Sequence, residues 1–322
     1  MAEIVVAGHI CLDIIPKFLS DAEIAPGRLI EVGAADLSTG GAVANVGRSL
    51  HRLGVEVSLV GKIGDDPFGR IVAELLAQED ASLTQGLVVS KGGTTSYSVV
   101  INPPGRDRTF LHMPGENDTF TSADLHPHAL QGARVLHFGY PPLMARMFAD
   151  EGAELETLVR QARAAGVAVS LDLSLPDPSS PSGQAPWRRI LKRVLPHVNL
   201  FFPSDTELAF MLGLPVDDTE EMIRQCLGMG AGMVVVKCGE RGLVSASGRQ
   251  PCFDVEVVGT TGSGDATIAG FLMGYVRGFP LAKCLEAGCA VGASCVEAAD
   301  AVSGVRPWPE TQARLDRGWA TR

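Results

Sequence analysis

Residues 255–276 read VEVVGTTGSGDATIAGFLMGYV, a run whose residue types change character twice. Val255 and Val257 alternate across Glu256, which predicts a strand. A Gly/Thr turn follows, and then Ala266, Ile268, Ala269, Leu272 and Met273 recur at helical spacing. A helix that begins on glycines leaves main-chain N–H groups uncovered at its first turn, where about half a positive charge collects. Gly262, Ser263 and Gly264 are therefore expected to form an anion site. Asp265 is odd in that position, because a carboxylate repels a bound phosphate. Two readings stand side by side. Asp265 is a helix N-cap, for which Asp is favoured. Alternatively, it accepts a hydroxyl proton while the N–H groups hold a transferring phosphoryl group. A general base contributes about 10²–10⁴-fold, so the anion site and a bound metal would have to supply the rest.

A second glycine cluster lies some 200 residues earlier. Residues 39–69 read TGGAVANVGRSLHRLGVEVSLVGKIGDDPFG. Here Gly40 and Gly41 open an apolar helix, and Asn45 sits near its start. An amide both donates and accepts, which suits a sugar hydroxyl better than a phosphate. The competing reading is an ordinary polar residue at a helix start.

Around these clusters, apolar strands and amphipathic helices alternate. Residues 3–7 end at Gly8 as a first buried strand, and the helix over 42–53 stops at Gly54. Strands are expected at 57–60, 135–138, 167–171, 198–202 and 233–236, and helices at 68–78, 145–165, 205–212 and 220–229. Such alternation predicts an α/β protein with a mostly parallel sheet between helices. Two stretches break the rhythm. Residues 14–39 and 94–120 carry alternation and turn signals such as Pro103-Pro104-Gly105, and read as short antiparallel strands forming a small β lid. No linker, repeat or low-complexity tract divides the chain, so one domain is expected.

Composition narrows the partners. A net charge of −10 argues against nucleic acid, though backbone N–H groups can still bind an anion. Seven cysteines occur without a C-x-x-C pair or metal spacing, which suits buried free thiols in a reducing compartment. The first residues lack a basic segment and a long apolar run, and no stretch approaches a membrane span, so the expectation is a cytoplasmic protein without a membrane partner.

Together the two clusters resemble the PfkB family of carbohydrate kinases, which includes ribokinase, fructokinase and adenosine kinase. Gly40-Gly41…Asn45…Gly54 with Gly61…Gly64-Asp65-Asp66…Gly69 is similar to the family's N-terminal signature. GTTGSGD at 259–265 is similar to its C-terminal D-T-x-G-A-G-D signature. The resemblance implies a ribokinase-like three-layer fold with a β lid, and ATP and Mg²⁺ as cofactors. It implies Asp265 as catalytic base, with Gly262, Ser263 and Gly264 as the anion hole. Asp13, Gly41 and Asn45 match substrate contacts, and Arg108 in the lid segment GRDRTF (105–110) is a further candidate. Lys237, Gly239 and Gly242 in VVVKCGERG fall where nucleotide phosphates are lined. Glu207 in FPSDTE matches a glutamate that organises Mg²⁺, with Ser204 where the family has Asn. Read alone, Glu207 is equally a solvated helix residue and Lys237 a strand-end charge. Tyr140, in the loop after the strand at 135–138, stands at the sheet's carboxyl edge and is expected to help choose the substrate. Gly259 replaces the first Asp of the signature, which in such kinases helps bind a monovalent cation. Little dependence on potassium is therefore expected, unless residues 297–304 supply the ligands. A homodimer through the lid is also implied.

Other classes fit less well. G-x-x-x-x-G-K-[ST] is absent, which excludes a P-loop kinase. No G-x-G-x-x-G follows the first strand, and no paired histidines suggest a metal hydrolase. A nucleoside kinase of the same family and a catalytically silent sugar- or nucleotide-binding regulator stay as alternatives. With only three Trp and three Tyr to line a base pocket, a sugar or sugar acid is preferred. A pure binder would gain nothing from a buried base.

Overall fold

The computed structural model describes residues 2–21, 24–104 and 108–322. Gly105, and with it the first half of the GRDRTF segment, lies outside the described residues. The chain begins with β1 (Ile4–Gly8), β2 (Cys11–Phe18) and β3 (Val32–Gly40), then α1 (Gly41–Arg52), β4 (Val57–Val60), β5 (Lys62–Gly64) and α2 (Pro67–Glu79). Next come β6 (Val88–Ser90), β7 (Tyr97–Ile101), β8 (Thr109–Met113) and β9 (Val135–Gly139), then α3 (Ala145–Phe148) and α4 (Ala153–Ala164). Further on are β10 (Ala168–Leu171), α5 (Trp187–Val194), β11 (Leu200–Phe201), α6 (Asp205–Leu212) and α7 (Thr219–Gly228). The chain ends with β12 (Met233–Lys237), β13 (Leu243–Ser245), β14 (Gly248–Gln250), α8 (Ser263–Val276), α9 (Leu281–Cys295) and α10 (Trp308–Asp316).

Eight strands form the central sheet in the order β14-β13-β12-β11-β10-β9-β1-β4. Its strands from β12 to β4 pair parallel, and β13 and β14 add an antiparallel edge. Strands such as Ile4–Gly8 are buried on both faces, because helices cover both sides. One apolar cluster joins α1, α8 and α9 to one face, and another joins α4, α5 and α7 to the other. Close helix packing on the first face depends on small residues: a Cβ on Gly270 would meet Ala287 O at 2.6 Å, and one on Gly292 would meet Thr267 Oγ1 at 2.1 Å.

A second sheet, ordered β3-β2-β7-β8, contains strands from both stretches that break the α/β rhythm. Its pairing corrects the expectation of antiparallel strands throughout, since β2 and β7 run parallel. Register gives this sheet two unlike faces. Asp13 pairs Ser98, which pairs His112, so one row is polar. The next row, Leu37–Ile14–Val99–Leu111, is apolar and points the other way.

Two further expectations give way to tertiary packing. The helix over 145–165 breaks where Asp150, Glu151 and Gly152 adopt φ of 49°, 54° and 78°. Here α5 presses in: a Cβ on Gly152 would lie 2.7 Å from Ile190, and Arg193 Nη1 donates to the carbonyls of Asp150 and Glu151. The strand expected at Val255 and Val257 does not form. Among the described residues that segment joins no sheet; its pairing is a bridge of Phe253 to Thr321 near the C-terminus, after which Val258 and Gly259 donate to Val296 O.

Candidate active site

The first turn of α8 bears on the N-cap reading of Asp265. Gly262 is the N-cap in the left-handed region, φ 73°, and no side chain caps the helix. A Cβ on Gly262 would meet Ala301 Cβ at 2.5 Å, so both conformation and space require glycine there. Asp265, two residues after the first helical residue, is buried and turns its carboxylate inward. Asn45 Nδ2 donates to Oδ2 at 2.9 Å, and Tyr140 Oη lies 2.9 and 2.8 Å from Oδ1 and Oδ2. The N-cap reading is thereby set aside. Burial raises the Asp265 carboxyl above its ordinary range, and the Asn45 amide, the Lys237 charge and the Tyr140 hydroxyl partly counter it.

Asp265, Gly262, Asn45, Gly41, Asp13, Arg108 and Tyr140 all line one cavity of about 940 Å³ between the two sheets. Its polar wall is the row Asp13–Ser98–His112 of the small sheet. Ser98 Oγ and His112 Nδ1 are 3.0 Å apart, and His112 Nε2 lies 3.3 Å from Nε2 of His9, which follows β1. Burial lowers the pKa of both histidines, keeping them neutral. Burial lifts the Asp13 carboxyl to about 6, against hydrogen bonds from Cys11 and Ser98. The Gly40-Gly41 pair acquires a steric reason: Cβ atoms there would strike the Asp13 carboxylate at 2.3 Å and His9 Nδ1 at 2.5 Å. Arg108 Nη1 donates to Thr261 Oγ1, linking β8's approach to the turn before α8.

Lys237, at the end of β12, lies outside the cavity lining but beside the Gly262–Gly264 turn: a Cβ on Gly264 would be 3.6 Å from its Nζ. Nζ donates to Asp172 Oδ1 at 2.6 Å. Asp172, just past β10, is wholly buried, and its Oδ2 has no partner among the described residues. Burial pushes the Asp172 carboxyl up, and the Lys237 ammonium pulls it back. Burial disfavours the Lys237 charge, but Asp172, Glu207 and Asp265 outweigh it and hold the amine protonated.

Glu207 closes a capping box on α6: Ser204 N–H donates to its Oε2 at 2.7 Å, and its own N–H donates to Ser204 Oγ. Serine caps a helix about as well as asparagine, which accounts for Ser204. Gly239 and Gly242 bracket a turn after β12 with φ of 56° and 83°. A Cβ on Gly242 would lie 2.0 Å from Gln250 O, so that glycine also serves the β13–β14 hairpin. At Gly259 a Cβ would press to 3.0 Å from the carbonyls of Ala298 and Ala299. Asp300 is turned away into its own loop, accepting from Val302 and Ser303.

Residues 1–308 match the pfkB family of carbohydrate kinases. The chain belongs to that family. Among curated relatives, fructokinase-2 of Zea mays is 29% identical over 276 residues, covering 84% of this chain and 79% of that one. Among solved structures, Arabidopsis thaliana ribokinase complexed with ribose and ATP superposes with a TM-score of 0.81 at 21% identity, covering 98% of each chain. A putative ribokinase II from E. coli in complex with ATP and Mg²⁺ gives 0.79 at 22% identity, covering 98% of this chain and 100% of that one. The fold is thus ribokinase-like, and the protein is an ATP-dependent carbohydrate kinase. His9, Ser98, His112 and Asp172 join the site without having been singled out from sequence. Asp172 was within reach, because it ends a strand at the sheet's carboxyl edge, where such folds bind ligands.

Proposed function

We propose that this kinase phosphorylates a hydroxyl of a small sugar or sugar acid, with Asp265 as general base and the Gly262–Gly264 turn as anion hole. The observation that carries this reading is the Asp265 carboxylate, buried at a helix N-terminus yet facing the cavity. A carboxylate there accepts the proton of an incoming hydroxyl, while the N–H groups of the same turn stabilise the phosphoryl oxygens. Asp13, Gly41, Asn45, Arg108 and Tyr140 take the sugar side. Lys237, Gly239 and Gly242 take the nucleotide phosphates.

No group of three or more His, Cys, Asp or Glu is arranged to hold a metal ion among the described residues. That suits Mg²⁺, which is usually held by one or two carboxylates, waters and nucleotide phosphates rather than by a protein cage. Glu207 would hold it through water. When bound, Mg²⁺ neutralises charge on the phosphates. The small sheet acts as a lid, and its apolar outer row supports pairing with a second copy of the chain. Seven free cysteines, six of them buried, support a reducing cytoplasm. No helix among the described residues is long and apolar enough to cross a membrane.

The test mixes protein, ATP, Mg²⁺ and a panel of sugars, sugar acids and nucleosides, and follows ADP. Asp265→Asn is expected to keep nucleotide affinity and lower kcat by about 10²–10⁴-fold. Near-normal kcat in that variant removes Asp265 from the base role. Tight sugar binding with no ADP release points instead to a silent regulator.

A further inference from the structure

A base needs an accessible acceptor position, and Asp265 has its best one filled by the chain itself. Tyr140 Oη sits 2.9 and 2.8 Å from the two carboxylate oxygens. An atom nearly equidistant from both stands on the side where their lone pairs converge. Asn45 approaches Oδ2 separately. Tyr140 is held there by its backbone: it leaves β9 at Gly139 in the left-handed region, φ 62°, and is followed by two prolines. A bulky residue adopts that conformation rarely, so the surroundings fix it. The His9 ring packs beside it at 6.1 Å between centroids, and the phenol lines the cavity.

We propose that the Tyr140 hydroxyl stands in for the acceptor: it occupies the proton-accepting side of Asp265, denies that position to water, and yields to a sugar hydroxyl. This rests on the base role proposed above. The phenol suits the task chemically. Burial, and then the Asp265 charge, push its pKa well above the ordinary value, so it remains a neutral donor. A sugar hydroxyl entering the position exchanges one O–H···carboxylate bond for another. Water in the same position would give up a proton to Asp265 while its oxygen attacked the γ-phosphorus, breaking the bond to ADP and releasing phosphate. Tyr140 is thus a positioning residue that biases the enzyme toward transfer over hydrolysis.

The experiment measures ATP hydrolysis with Mg²⁺ and no sugar, for the native protein, Tyr140→Phe, Asp265→Asn and the double variant. Tyr140→Phe is expected to hydrolyse faster by about tenfold or more, since an available general base is worth about 10²–10⁴-fold. The double variant should fall back to the native rate or below. For any sugar turned over, Tyr140→Phe should lower KM more than it changes kcat, because no internal bond has to be broken. Hydrolysis in Tyr140→Phe no faster than native, or equally fast in the double variant, overturns the proposal. Retained sugar turnover in Asp265→Asn is a different failure, that of the base role itself. Should Tyr140→Phe not fold, ¹³C-labelled tyrosine gives an independent reading, because the chain has only three, at 97, 140 and 275. Saturating sugar is expected to shift the Tyr140 ring signal. An unmoved signal sinks the idea.

Discussion

Asp13 shows how one residue's surroundings set a measurable property. Burial holds its carboxyl near 6, well above an unperturbed aspartate. In the sugar-binding role proposed for it, the ionised form is the stronger acceptor, offering both oxygens to hydroxyl donors. The charged form dominates above about 6 and is lost as pH falls through that value. Donating hydroxyls favour the charged form, so bound sugar lowers the pKa. The sugar KM is therefore expected to rise by about tenfold per pH unit below that point, while kcat at saturation falls less. A KM flat from pH 7 to pH 5 would remove Asp13 from sugar binding. Asn45 divides its two ends in a way its residue type did not foretell. Its Nδ2 goes to Asp265, and its buried Oδ1 has no partner among the described residues. The amide thus holds the Asp265 carboxylate and keeps an acceptor in reserve.

Elements were legible wherever local pattern decided them. Val57–Val60 and Asp205–Leu212 form with the bounds their sequence suggests. The Gly262 turn was legible for the same reason, since glycines before an apolar helix are a local signal. What escaped was set by distant contacts. Ile190 and Arg193 break the helix at 150–152, and Val255–Val257 alternate without a sheet to join. His9, after β1 of the central sheet, and His112, on β8 of the small sheet, are 103 positions apart and meet only through the tertiary fold. Two expectations belong at this scale. Gly262→Ala should lower stability by about 1–2 kcal/mol from the left-handed backbone alone, more with the Ala301 clash, read as a drop in Tm. Gly264→Ala, whose Cβ would sit in ordinary contact with Lys237, should leave Tm nearly unchanged. The loop beside Gly259 gives the second. With no carboxylate at 259 and Asp300 committed to its own loop, activity should differ little between K⁺ and a bulky organic cation. Strong activation by K⁺ would contradict it.

At the scale of the whole molecule, the small sheet presents its polar row to the cavity, and on its other face the row Leu37–Ile14–Val99–Leu111 is half-buried in the middle, where Ile14 packs against the main core, and exposed at its two ends. Leu37 is 45% exposed and Leu111 55%. Large apolar side chains left in water at both edges of one sheet face favour burial against a partner. Sedimentation is expected to give a dimer, and Leu111→Glu to shift it toward monomer while leaving the circular dichroism spectrum unchanged. A native protein that sediments as a monomer at micromolar concentration would exclude that pairing.

The tight seam between α8 and α9, where glycines 270 and 292 leave no room for a methyl group, bears on regiochemistry. Asp265 rides on a helix packed closely against its neighbour at Gly270 and Gly292. Asp13 rides on another sheet, reached through Gly40 and Gly41. In the proposed roles, the span between the two carboxylates in the closed site would work as a ruler laid along the acceptor. With Asp265 as base and Asp13 as sugar ligand, the roles proposed above, the hydroxyl that receives the phosphate would be chosen by its distance from the one Asp13 holds, a distance set by the packing of backbones.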